Sequence, residues 1–382
     1  MKKSSLTARL ALAPIRVALY AALAFAVLMG VILFAVFRDS IDERTLDGVL
    51  RVFRLSGPEG TASQIMIDAN PQNQYALYRS RLAVLSPERV VLYDRSGTEA
   101  ASAVIRMENP RLRAAGDTAL VFDRNGAACL IVGEKGVEAA YDDEIIITAE
   151  LAENGGYALA TRRSGYNGVV TVYGAAHHRL FEWHSAESGF VMDIALNRNA
   201  SMLAVAAVRQ ENHTVSRLTV LRTNRAEPEA VIDIPDHLII EVHFMRDTLC
   251  VLLEDEARFY KTNGELLETY RLDGRYYLDV RVSDELCVLR TGRQASDYHS
   301  VLALLDRSGA LIGEIPLEDA AVDAMHAAGS YAGVLQSGTL SLYNAKAELC
   351  FSAENLSEVK ALRVAPDGSV LLIGQEKAYW VQ

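Results

Sequence analysis

One phrase recurs along most of this chain, and it limits the possible folds more than any single motif does. Between residues 189 and 224 a strand, Phe190-Val-Met-Asp-Ile-Ala-Leu196, meets a tight polar turn, Asn197-Arg-Asn-Ala-Ser201, and returns as Met202-Leu-Ala-Val-Ala-Ala-Val208. After a polar break at 209–214 a third strand follows, Val215-Ser-Arg-Leu-Thr-Val-Leu221. Related phrases run from about Gln64 to the C-terminus. Their clearest marks are third strands that end in a turn: Val90-Val-Leu-Tyr-Asp-Arg-Ser-Gly97, Gly168-Val-Val-Thr-Val-Tyr173, Ser216-Arg-Leu-Thr-Val-Leu221, Ala257-Arg-Phe-Tyr-Lys-Thr-Asn-Gly264, Val301-Leu-Ala-Leu-Leu-Asp-Arg-Ser-Gly309 and Thr339-Leu-Ser-Leu-Tyr-Asn344. Apolar residues alternate at period two, the signature of strands. The Asp/Asn-x-x-Gly endings supply the positive φ of a short hairpin turn.

The first strands of the units fall near Gln64, Arg111, Ile145, Phe190, Leu238, Tyr277, Ala321 and Val359. Their mean interval is about 42 residues, and a four-stranded propeller blade takes ~40–45. The expected fold is therefore all-β: a β-propeller of about eight four-stranded blades over residues 49–382, with seven as the alternative because the unit at 111–142 is short. The last unit has only three strands. Val49-Leu-Arg-Val-Phe-Arg-Leu55 has strand character and no partner of its own, so it is expected to complete the last blade, since an unclosed ring exposes strand edges. A two-sheet sandwich would not predict a regular period over so long a stretch, and helical repeats would step by three and four rather than alternate.

Ahead of the repeat, residues 17–37 run for 21 positions without a charge, and a helix needs about 20 apolar residues to cross a bilayer. The Ala-x-Ala sites that a signal peptidase would use lie mid-run, which favours an uncleaved signal-anchor. Lys2, Lys3, Arg9 and Arg16 precede the span without an acid, while its far flank has no positive excess. The positive-inside rule then places residues 1–16 in the cytoplasm as a short tail, 17–37 in the cell membrane as one transmembrane helix, 38–48 outside as a stalk, and the propeller beyond it as an extracytoplasmic domain.

Beyond residue 37 there are 34 basic residues against 49 acidic ones. Such a surface repels phosphate backbones, so no nucleic-acid partner is expected. The four cysteines, Cys129, Cys250, Cys287 and Cys350, have no CxxC spacing and sit in apolar runs, as free buried thiols do.

No pattern points to a reaction. There is no Gly-x-Ser-x-Gly elbow, P-loop or Gly-x-Gly-x-x-Gly. Tyr141-Asp-Asp-Glu144 is the densest acidic run but lacks the spaced oxygen ligands of a calcium loop, so a solvated loop between blades is the simpler reading. His177-His178, with Trp183 and His184 nearby, suggests a metal; adjacent histidines on a strand, however, point to opposite faces. Asp94, Asp123, Asp306 and Asp367 each stand just before a turn glycine, where Asx-turn chemistry accounts for them. No catalytic, cofactor-binding or metal-ligating residue is assigned and no cofactor is expected. The polar loops 209–214 and 293–299 are longer than hairpin turns require; they read as tolerated insertions or, because loops carry function more often than scaffold strands, as a contact surface.

The turn Ala365-Pro-Asp-Gly-Ser369 resembles the Ser-Pro-Asp-Gly turn of WD-type propellers; Asn197–Ser201 and Glu153-Asn-Gly-Gly156 hold the same place, although the Trp-Asp and Gly-His pairs are missing. The layout of an N-terminal anchor, a stalk and a propeller with Leu-Tyr-Asp-x-x-Gly strands resembles an uncharacterised family of Clostridia-type membrane proteins, a domain of unknown function. That resemblance implies a propeller and brings no catalytic residues. The expected function is non-catalytic binding or scaffolding outside the cell, with a protein or glycan partner. The alternative is a hydrolase or lyase acting on carbohydrate or peptide, which would need paired carboxylates at the channel mouth.

Overall fold

Each blade begins with a short strand of mixed polarity, followed by two nearly continuous apolar strands and a fourth, half-exposed one. In the computed structural model, which describes residues 64–381 apart from 69, 80, 186–188, 211, 295–298 and 318–320, these form eight antiparallel four-stranded sheets among the described residues. In chain order the blades occupy 74–104, 110–141, 145–184, 190–235, 239–271, 276–316 and 322–353; the eighth comprises 361–381 together with Ile65–Met66.

The second and third strands are the buried ones. Thr248–Leu253 and Val370–Ile373 are buried along their whole length, and Thr118–Asp123 likewise. Both faces of a sheet are covered because each packs against the next blade, so a strand that alternates in a half-exposed sheet here reads as a solid apolar run. The eight core clusters each draw residues from neighbouring blades; one unites Phe259 and Cys250 of blade five with Cys287 and Leu305 of blade six.

Blade eight is built from both ends of the described chain. Ile65 pairs with Ala378 and Met66 with Lys377, and the Ile67 amide donates to the Glu376 carbonyl at 3.0 Å. Ile65 is 1% exposed, packed among Leu82 and Val84 of blade one and Leu371 and Ile373 of blade eight. The stretch at Gln64, expected to open the first unit, is thus the outer edge of the last blade, and the first inner strand is Gln74–Tyr78. Ile65-Met-Ile67 followed by an Asn/Pro/Gln turn reads locally as a strand and hairpin, but its partner lies at the other end of the sequence. Residues 49–55, the expected closing strand, lie outside the described residues, as do the tail, span and stalk. The short unit at 111–142 is a complete blade, Pro110–Ala115 to Gly136–Tyr141, so the alternative count of seven does not hold.

The turns recur as the sequence implies. Asp94 Oδ1 accepts from the Ser96 and Thr98 amides, Asp306 Oδ1 from Ser308 and Ala310, and Asn344 Oδ1 from Lys346 and Glu348. Asp367 holds Ser369 in the same way. None of the four cysteines is in a disulfide; Cys350 is exposed on an outer strand, where its thiol donates to the Leu342 carbonyl, unlike the buried Cys129, Cys250 and Cys287. Cys250 and Cys287 touch across blades five and six with sulfurs 3.7 Å apart.

Truncating Ile65 should open the seam. Ile65→Ala is expected to cost about 2–5 kcal/mol, the range for buried aliphatic deletions. Met66→Ala, two-thirds exposed on the same strand, should change stability by less than about 0.5 kcal/mol. Urea denaturation of both variants decides it; equal effects would remove Ile65 from the closing contact.

Candidate functional site

Because adjacent strands are antiparallel, the loops sort onto two faces. The turns joining first to second and third to fourth strands lie on one, the turn face. The turns joining second to third strands, and the links between blades, lie on the other, the connection face. The first strands form the innermost circle, as their mutual bonds show. Gln74 Nε2 donates to the Pro110 carbonyl and its Oε1 accepts from the Leu112 amide. Arg113 Nε reaches Glu150 at 3.3 Å, and the Val242 amide donates to Asp193 at 3.0 Å. Arg281 donates to the Met325 carbonyl, the Val364 amide to His326 Nδ1, and Arg363 to the Tyr75 carbonyl, which returns to blade one.

Charge around this circle is unevenly spread. Acids Glu150, Asp193, Glu241 and Asp279 come from blades three to six, while Arg281, His326, Arg363 and Arg113 come from blades six, seven, eight and two. Each acid has a donor: Arg113 for Glu150, the Val242 amide for Asp193, His243 for Glu241 at 3.0 Å and Arg281 for Asp279 at 2.6 Å. Burial pushes the Asp193 carboxyl up to about 6. Burial also holds the His326 imidazole well below its usual range, with Arg363 and Arg281 adding to the effect, which keeps Nδ1 free to accept from Val364. Burial would lower His243, but the carboxylates of Glu241, Asp193 and Glu150 together outweigh it and the net shift is upward. The channel is therefore mixed in charge and internally bonded.

The two faces differ. On the turn face a cleft of about 500 Å³ between blades one, two and three is lined by both signs: Arg79 pairs with Asp117 at 2.9 Å and Arg81 with Glu134, while His177 lies 3.7 Å from Glu138. On the connection face a cup of about 800 Å³ spans blades two to four. Arg111, Arg124 and Arg162 line it together with Tyr166, Phe190 and Met192, and no carboxylate does. Phe190 is 63% exposed and Met192 40%; Ile145, Ile240 and Tyr276, also near the starts of inner strands, extend this apolar arc around the mouth through blades three to six.

The residues singled out by sequence are dispersed. In the acidic run, Glu144 accepts from Arg163 Nε and Thr161 Oγ1, both at 2.5 Å, and Tyr141 meets the Tyr157 hydroxyl. His177 is not on a strand: it sits at φ 60° in a turn, the slot that glycine fills at Gly97 and Gly309, so opposite strand faces are not what separates it from His178. His184 lies at the far end of Arg179–His184, on the connection face, bonded to Glu182, while half-buried Trp183 packs into a core cluster. Among the described residues no three His, Cys, Asp or Glu side chains converge to hold a metal. Asp123 is no simple Asx turn: it is buried, and its two oxygens accept from the Glu108 and Asn109 amides. The break at 209–214 is partly strand, since Met202–Gln210 pairs with Thr214–Arg222 up to Gln210 and Thr214. The second and third strands that flank 209–214 and 293–299 meet these segments on the connection face. The arginine cup escaped sequence reading altogether.

The raised Asp193 carboxyl predicts a pH dependence. Its folded value near 6 exceeds the ordinary unfolded one, so its contribution favours the fold at low pH and is lost as pH rises from about 4 through 6. Asp193→Asn keeps an acceptor for Val242 and removes the charge. It should raise stability at pH 7.5 by on the order of 1–3 kcal/mol and flatten this part of the pH profile. Urea midpoints at pH 5 and 7.5 test it; a variant weaker than wild type at pH 7.5 would contradict the assignment.

Solved structures of similar shape are distant in sequence. BamB from Moraxella catarrhalis aligns with a TM-score of 0.53 at 13% identity, covering 85% of this chain and 97% of that one. The C-terminal WD40 domain of Sif2 gives 0.55 at 11%, covering 85% and 99%. The computationally designed Ika8 protein gives 0.57 at 12%, covering 84% and 100%. These likenesses extend to the fold. No curated protein matches the sequence. The Family of unknown function (DUF5711) matches residues 60–381, and the chain belongs to that family.

Proposed function

We propose that this propeller is a non-catalytic binding or scaffolding module, held outside the cell by the apolar span at 17–37, and that its connection face takes a protein partner. The observation that carries this reading is the exposed apolar arc of Ile145, Phe190, Met192, Ile240 and Tyr276 on one face of an otherwise acidic chain. Large apolar side chains gathered at one site mark interaction surfaces, whereas scattered ones do not. The carboxylates of the inner circle favour the same reading over hydrolysis. A glycosidase needs two carboxyls facing a shared substrate; here Glu150 and Asp279 are each paired with an arginine, Glu241 with the His243 imidazole, and Asp193 with a backbone amide. The anchor rests on hydropathy and on the basic residues ahead of it.

Two measurements test the reading. Cys350 is the exposed thiol of the described set, so a membrane-impermeant maleimide should label it on intact cells, and label Cys129, Cys250 and Cys287 only after unfolding. Labelling of Cys350 only after lysis would overturn the extracytoplasmic placement. Full-length protein cross-linked in its native membrane should co-purify with one stoichiometric protein partner; recovery of the protein alone would overturn the scaffold.

A further inference from the structure

The arginine cup differs electrostatically from the rest of the molecule. The chain carries a net charge of −11. Elsewhere arginines are mostly paired, for example Arg217 with Asp233 at 2.6 Å and Arg275 with Glu314 at 3.0 Å. Among the described residues Arg111, Arg124 and Arg162 have no carboxylate within 4 Å. The acid nearest in sequence, Asp123, is buried and spends both oxygens on the Glu108 and Asn109 amides.

The cup is also held in shape before any ligand arrives. The Arg124 amide donates to the Asn109 carbonyl, the Asn125 amide to the Ile146 carbonyl, and the Ile146 amide to the Gly126 carbonyl, which clamps this turn between blades two and three. Asn125 sits at φ 68°, and its side-chain oxygen accepts from Arg162 Nη2 at 3.3 Å. Guanidinium forks on a fixed frame suit carboxylates or phosphates. The opposite wall is apolar: Phe190 and Met192 stand open to solvent, and Tyr166 is braced against His184 with ring centroids 4.4 Å apart.

From this juxtaposition we infer that the cup, resting on the binding role proposed above, takes an acidic peptide segment of a partner protein that carries at least one large apolar side chain. Its carboxylates pair with Arg111, Arg124 and Arg162, and its apolar side chain covers Phe190 and Met192. A small inorganic anion would use the arginines and leave the arc bare. A nucleic acid would meet an acidic surface beyond the cup.

The test uses the full chain in detergent and a fluorescent eight-residue peptide alternating Glu with Leu and Phe. A second peptide replaces Glu with Lys and a third replaces the apolar residues with Ser. The first should bind, with affinity falling as salt rises; the other two should bind at least ~10-fold more weakly. The R111S/R124S/R162S variant should lose at least ~10-fold, while R79S/R81S on the turn face binds as wild type does. Thermal melting establishes that both variants are folded. Equal binding by the folded triple variant, equal binding by the Lys peptide, or displacement by inorganic phosphate as effective as by free peptide would each overturn the assignment. Cross-linking in the native membrane separates this failure from failure of the scaffold: a partner that stays with the triple variant sinks the cup alone, and a wild-type protein recovered without a partner sinks the binding role itself.

Discussion

Sheet-on-sheet burial between consecutive blades is the contact on which this molecule depends. A lone four-stranded sheet with apolar residues on both faces has nowhere to put them, and a row of such sheets would still expose its two ends. Bending the row into a ring removes the ends, provided that the last sheet meets the first. That meeting is the cluster of Ile65, Ile67, Leu82, Val84, Leu371, Ile373 and Ala378. The inner circle then adds side-chain bonds from one blade to the next, from Gln74 round to Arg363, which fix the spacing of the first strands.

How much of this was legible depends on where the determining partner lies. The third strands Arg89–Tyr93 and Thr339–Asn344 are read correctly from sequence because two local signals coincide, an apolar-rich run and an Asx turn closed within four residues; Val169–Tyr173 is read from its apolar run alone, since Gly174 follows it. The blade count comes instead from the eight first-strand positions and their mean interval. The error at Gln64 arises because the role of Ile65–Met66 is decided by Lys377 and Ala378, and nothing local distinguishes an outer edge strand from the opening strand of a hairpin. Asp123 was misread for a related reason: its spacing to Gly126 fits an Asx turn, yet the amides it serves belong to Glu108 and Asn109, upstream of its own hairpin.

The connection face was only partly legible. Strand counting alone sorts the turns between second and third strands onto one side of a propeller, so the side of each such turn follows once the four strands of a blade are known. The cup cannot be found that way. Arg111 begins an inner strand, Arg124 sits in a hairpin turn and Arg162 ends a second strand, and only the stacking of blades two and three brings them together. Single arginines in an acidic chain read as solvated counter-charges, and their convergence appears only once the sheets are stacked. The inner circle escaped sequence reading as well: its charges stand on the first strands of blades two to eight, and only the stacking of one blade on the next brings Arg113 to Glu150 and Arg363 to the Tyr75 carbonyl.

The seam of blade eight also bears on how the chain can be made. Ile65 leaves the ribosome early, and its ladder partner Ala378 lies over three hundred residues later. Seven blades can form in the order of synthesis, each on the previous one, but the eighth must wait for nearly the whole sequence. Throughout that interval Leu82 and Val84 of blade one lack their cover. Contacts at such separation are slow to form, so the partly made chain spends its longest exposed phase with an open apolar edge at its oldest end. A premature stop anywhere before residue 377 leaves that edge open permanently.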